Sequence, residues 1–177
     1  MRGKAYLAIV FIVTTVAAAA AFIPACRTNG DCSNGICECP SGDSCDFTCA
    51  APPCHARCAG NNDRCDAECA NGTCTCESES SCNFSCKAPP CHVSCSAHTT
   101  CTGTCSNGQC DCGADSTCHF TCATSPCHST CGQGSHCVVL CPPGLAGTQA
   151  CDLVACAAGV PVVCPGGNAT TCGAPCP

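Results

Sequence analysis

Large apolar side chains are scarce in this chain. Tryptophan is absent, the one tyrosine is Tyr6 and the one methionine is Met1. Between Cys26 and His136 only Ile36, Phe47, Phe84, Val93 and Phe120 are large and apolar. Burying so few cannot offset the backbone entropy of ordering that stretch, which excludes an ordinary hydrophobic core. Basic residues are scarce too. Past Arg2 and Lys4 the chain holds Arg27, Arg57, Arg64 and Lys87 against twelve acids, a net charge near −8. That balance argues against nucleic acid and anionic lipid surfaces as partners. Cysteines never stand in the Cys-x2-Cys spacing of zinc sites. No nucleophile motif is present, and acids and histidines recur singly. We therefore expect no enzymatic activity and no cofactor. The acids Glu77, Glu79, Asp63 and Asp66 read as a solubilising surface.

Cysteine is what the chain has in excess, 31 in all. From Cys65 the gaps read three, four, one, five, three, four, three and five residues, and then begin again. Aligned on cysteine, three units appear, Cys26–Cys58, Cys65–Cys95 and Cys101–Cys131, with a period of 36 to 37 residues. Asn-Gly precedes a Cys-x-Cys at Asn34-Gly35, Asn71-Gly72 and Asn107-Gly108. A phenylalanine sits inside Cys-x-Phe-x-Cys at Phe47, Phe84 and Phe120, the expected repeat core. Pro-Cys-His follows at His55, His92 and His128. Repetition this regular signals a repeat architecture.

Each unit divides into pieces of about nine residues, a short segment bounded by cysteines and then a polar turn. The segments run Cys45 to Cys49, Cys54 to Cys58, Cys65 to Cys69, Cys82 to Cys86, Cys91 to Cys95, Cys101 to Cys105, Cys118 to Cys122 and Cys127 to Cys131. Cysteines and a small or apolar middle residue alternate with polar neighbours, the period of a half-buried strand. Helix is the rival, since i and i+4 share a helical face, but turns follow too closely for helices to fit. In an extended strand the two cysteines of a segment lie about 13 Å apart, too far for one disulfide. Each must bond outward to neighbouring segments. The candidates are those segment cysteines together with the Cys-x-Cys pairs Cys74, Cys76, Cys110 and Cys112. Connectivity stays open at this stage. The expected fold is small, disulfide-rich and β, a solenoid-like stack or meander of short strands cross-linked at both edges, with little helix apart from the signal peptide.

The ends differ from the repeats. Residues 1–25, with Arg2 and Lys4 ahead of an apolar run, read as a signal peptide cleaved near 21 or before Cys26. Ile23-Pro24-Ala25-Cys26 resembles the lipobox of bacterial lipoproteins, which makes Cys26 a lipidation candidate. Parity agrees, because an odd cysteine count becomes even once Cys26 leaves the disulfide pool. Export implies an oxidising compartment. Residues 26–136 then hold the three repeats, and 137–177 form a wider-spaced, apolar cysteine-rich tail. Its Val138, Val139, Leu140, Leu145, Leu153, Val154, Val160, Val162 and Val163 suit a cap that seals the array, or a docking surface.

Two chemistries share these residues. The Cys-x4-Cys-His runs ending at His55, His92 and His128 are similar to a rare haem-attachment variant, with His98, His119 and His136 as second ligands. The thiol-rich composition resembles metallothioneins and makes a thiolate metal-binding protein an alternative. Asn71, Asn83 and Asn168 match the glycosylation sequon. Asn34-Gly35-Ile36-Cys37-Glu38-Cys39 resembles, locally, a stretch of EGF-type repeats. The tandem Cys-x3-Cys segments, Cys164 to Gly167 and the final Cys176-Pro177 resemble the cysteine-rich repeat proteins, often lipoproteins, exported by myxobacteria and related soil bacteria. That resemblance implies a surface location and no activity; with the disulfide-rich repeats, the expectation is a secreted or outer-surface, lipid-anchored protein with a structural or binding role. Its partner would be an unknown protein or envelope component, with membrane contact only through a lipid anchor. A secreted inhibitor or toxin-like binding module is the alternative.

Overall fold

The computed structural model describes residues 29–31, 35–48, 52–61 and 64–177. The signal-peptide reading over 1–25, Cys26, Cys49 and Asp63 lie outside them. All regular structure among the described residues is strand: β1 (Asn29–Asp31), β2 (Ile36–Cys39), β3 (Cys45–Thr48), β4 (His55–Cys58), β5 (Cys65–Cys76), β6 (Ser81–Cys95), β7 (Thr100–Cys112), β8 (Thr117–Cys131), β9 (His136–Leu140), β10 (Cys151–Cys156), β11 (Val162–Val163) and β12 (Ala169–Cys172). They wind into a disulfide-rich β-solenoid, so of stack and meander the chain adopts the stack.

Pairing from rung to rung is parallel. One face carries β1, β3, the first halves of β5 to β8, and β9. The other carries β2, β4, the second halves of β5 to β8, and β10. Cys65 stands beside Cys82, Cys82 beside Cys101, Cys101 beside Cys118 and Cys118 beside Cys137. Turns of 17 and 19 residues therefore alternate along the axis, and two of them make the 36-residue unit of the sequence.

The alternation has a packing reason. Along the first face the inward middle position reads Phe47, Ala67, Phe84, Gly103, Phe120 and Val139. Along the second it reads Ala56, Cys74, Val93, Cys110, Ser129 and Leu153. A phenylalanine turn has a small or medium residue opposite, and a small-residue turn has a sulfur opposite. A Cβ placed on Gly103 would stand 3.3 Å from both Val93 methyls and 3.5 Å from the Phe120 ring, so its neighbours already fill the space. Phe47, Phe84 and Phe120 are all buried, as are nearly all the half-cystines. Ile36 does not join this core; it is 72% exposed, because it takes an outward slot of β2, whose inward slots are Cys37 and Cys39.

The disulfides close corners. Within the array they join cysteines that follow one another in sequence: Cys39–Cys45, Cys58–Cys65, Cys69–Cys74, Cys76–Cys82, Cys86–Cys91, Cys95–Cys101, Cys105–Cys110, Cys112–Cys118, Cys122–Cys127 and Cys131–Cys137. Cys37 and Cys54 are disulfide-bonded as well. Each segment whose two cysteines are both described bonds outward at both ends. The partner is the neighbour along the chain and not, as opposed-strand spacing suggests, the rung alongside. Cys65 and Cys82 are register neighbours bonded to other cysteines.

The two corners differ. At one, Glu77–Ser80, Ser96–Thr99, Gly113–Ser116 and Gly132–Ser135 make tight turns, each with one left-handed residue: Glu79, His98, Asp115 or Gly134. At the other, the expected turns are bends inside strands. β5 to β8 run through it and shift register there. Asn71 and Asn107 take φ of 49° and 48°. A Cβ on Gly72 or Gly108 would lie 2.1 Å from the carbonyl oxygen of Cys54 or Cys91 in the preceding turn. Asn-Gly recurs because asparagine tolerates the left-handed bend and only glycine lets the backbones approach this closely.

After β9 and β10 the parallel winding stops. β12 pairs antiparallel with β9, and β11 antiparallel with β12. Val138, Val139 and Leu153 are buried, whereas Leu140, Val154, Val160, Val162 and Val163 are exposed. Pro161 precedes the two-residue β11 and Pro165 follows it closely, and β10 carries a register shift at Leu153/Ala155. Short strands, prolines and bulges are devices that blunt a sheet edge.

Candidate functional site

Outward positions form ladders, because each side chain repeats its place one strand spacing further along the stack. On the second face one ladder reads Ile36, His55, Thr73, His92, Gln109, His128 and Asp152. The three Pro-Cys-His histidines occupy every other rung. The backbone N–H of Thr73 donates to Nδ1 of His55 at 3.2 Å, and that of Gln109 to Nδ1 of His92 at 3.3 Å. These N–H groups follow Gly72 and Gly108, where the register shift interrupts the ladder. The histidines are thus side-chain acceptors that complete backbone pairing between turns. In the third unit the next rung offers a carboxylate instead, and Nδ1 of His128 meets Oδ1 of Asp152 at 2.5 Å.

Beside them runs a short ionic ladder. Arg57 meets Glu38 at 3.0 Å and Glu77 at 2.5 Å. Its guanidinium holds its proton more firmly than an ordinary arginine, first through the hydrogen bond to Glu77, then through the charges of Glu77 and Glu38. Lys87 pairs with Glu68 at 2.8 Å, and Arg64 with Asp66 at 2.5 Å. Exposed pairs of this kind add little stability. They do consume the described cations, so the surface away from them is acidic or neutral.

Haem attachment meets a direct obstacle. Cys86 with Cys91, and Cys122 with Cys127, are disulfides, so no thiol remains there for a thioether. The thiolate metal-binding alternative meets the same one. Every described cysteine is disulfide-bonded. The sulfurs of Cys122, Cys141 and Cys151 do lie within 4.8 Å of one another, but they belong to the stacked bonds Cys122–Cys127 and Cys141–Cys151.

One set of side chains carries no sequence signal beyond a Ser or Thr two residues ahead of the cysteine. Ser80, Thr99, Ser116 and Ser135 are buried at the tight corner. The Ser116 hydroxyl accepts from the Thr99 N–H at 3.0 Å and donates to the Ser96 carbonyl at 3.0 Å. The Ser135 hydroxyl accepts from the Ser116 N–H at 3.2 Å and donates to the Gly113 carbonyl. This hydroxyl column ties turn to turn along an edge that has no core of its own.

A cleft lies at the C-terminal end of the first face. It encloses about 470 Å³ between Thr117, His119, His136 and Val138 on β8 and β9 and the final residues Ala174 to Pro177. The tail is held there by the Cys164–Cys176 disulfide and by a contact of His136 Nδ1 with the Gly173 carbonyl. Asn71, Asn83 and Asn168 are exposed. No family model, curated protein or solved structure matches this chain.

Proposed function

We propose that this is an exported, non-enzymatic protein with a structural or binding role at the cell surface: a stiff, disulfide-stapled rod that presents its side-chain ladders to another protein or an envelope component. The observation that carries the reading is that every described cysteine is disulfide-bonded, a state that an oxidising, extracytoplasmic compartment sustains. The cysteine count supports a lipid anchor. Thirty-one cysteines cannot all pair with one another, and a lipidated Cys26 would leave an even number. The inhibitor or toxin-like alternative needs one projecting loop; here the longest excursions, 141–151 and 156–172, are themselves closed by disulfides.

Mass spectrometry of the mature protein tests this. A diacylated or triacylated N-terminal Cys26, partition into detergent and capture of an envelope component by the purified ectodomain are the expected results. An unprocessed chain recovered from cytoplasm with free thiols would overturn the reading; an unacylated Cys26 in exported material would overturn the anchor alone.

A further inference from the structure

We propose that the cleft at the C-terminal end of the first face binds a divalent first-row transition ion, Cu²⁺ foremost, through the imidazoles of His119 and His136. The register places the two residues together. Thr117 pairs with His136 and His119 with Val138, so the histidines sit on adjacent parallel strands one diagonal step apart. Cys118, Phe120, Cys137 and Val139 fill the alternate, inward slots, so both histidines project from the same outward face. Diagonal neighbours on one face are within reach of long and aromatic side chains. Both imidazoles line the same cleft.

The hydrogen bonding sets the ligand atom. Nδ1 of His136 contacts the Gly173 carbonyl oxygen. A carbonyl can only accept, so Nδ1 is the donor there, and in the neutral ring it is Nε2 that carries the lone pair. A ring nitrogen tied to a carbonyl with the other nitrogen free is the arrangement that orients a metal-ligating histidine. His119 has no hydrogen-bonding partner among the described residues, so its ring is free to turn towards the ion. His55 and His92 differ, since their Nδ1 atoms accept the Thr73 and Gln109 N–H groups; His128 has its Nδ1 on the Asp152 carboxylate but stands between Gln109 and Asp152, with no second imidazole beside it. Two neutral imidazoles select a borderline metal over calcium or magnesium, and copper heads the affinity order for such ligands. Water completes the coordination. The site needs no free thiol, so it is compatible with the oxidised, exported state.

The test titrates the oxidised full-length protein with Cu²⁺ by calorimetry and electron paramagnetic resonance, alongside His119→Ala, His136→Ala, the double variant and His92→Ala. The expected result is a spectrum with two nitrogen ligands, at least a tenfold loss of affinity in each single variant at the cleft, and no change in His92→Ala. Affinity and spectrum unchanged in the double variant would overturn the proposal. Should a variant not fold, diethyl pyrocarbonate labelling of the unaltered protein serves: Cu²⁺ must protect His119 and His136 together, and failure to protect either overturns the site.

Discussion

Two buried hydroxyls in this molecule face opposite situations. The Ser116 hydroxyl is the acceptor for the buried Thr99 N–H and a donor to Ser96. The Ser129 hydroxyl is buried on the second face, in the slot that Ala56 and Val93 fill in earlier units, and has no hydrogen-bond partner. Ser116→Ala leaves a buried N–H unsatisfied and should lower stability by about 1–3 kcal/mol. Ser129→Ala removes an unpaired polar atom and should raise stability by about 1 kcal/mol. Guanidinium unfolding of the oxidised variants separates the two; a Ser129→Ala protein less stable than its parent would mean that this hydroxyl does find a partner.

The elements are bent strands, and the bend depends on glycine at one place per unit. Gly108 abuts the Cys91 carbonyl, whereas Gly42 sits in a left-handed turn with nothing within 4 Å of a Cβ. Gly108→Ala must push two backbones apart, and should cost about 3 kcal/mol or more and disturb the pairing of β6 with β7. Gly42→Ala has only the backbone penalty of about 1–2 kcal/mol. Equal losses in the two variants would remove the close-approach explanation of Asn-Gly. Much of the element level is legible in the sequence. The period-two alternation of Cys-x-Phe-x-Cys fixes which side chains face inward, and the spacing fixes the repeat. Parallel winding is not legible, because alternation reports a face and not a neighbour. Nor is the role of His55 and His92, since their partner is a backbone N–H 17 or 18 residues away. Ile36 shows the limit of composition: an apolar residue in an outward slot stays outside.

The whole molecule replaces a hydrocarbon core with sulfur. The described interior is mostly half-cystine, with one large side chain in every other turn. Reduction therefore removes both the cross-links and the logic of the packing, and should abolish the far-ultraviolet strand spectrum entirely. A reduced, alkylated sample that keeps that spectrum would show that the rungs hold by pairing alone. The cleft that gathers His119 and His136 belongs to this scale too. It exists only because residues 174–177 return beside β8 and β9, a return that spacing along the chain does not encode.

Within the array, each described disulfide joins successive cysteines five to seven residues apart. No such bond waits for a distant partner, so a chain that meets an oxidant N-terminus first can finish one turn before the next arrives. Bond choice among many cysteines becomes a matter of order of arrival. The same locality makes the two-turn unit a cassette: a gene that gains or loses one copy changes the length of the rod and leaves every remaining bond with its own partner.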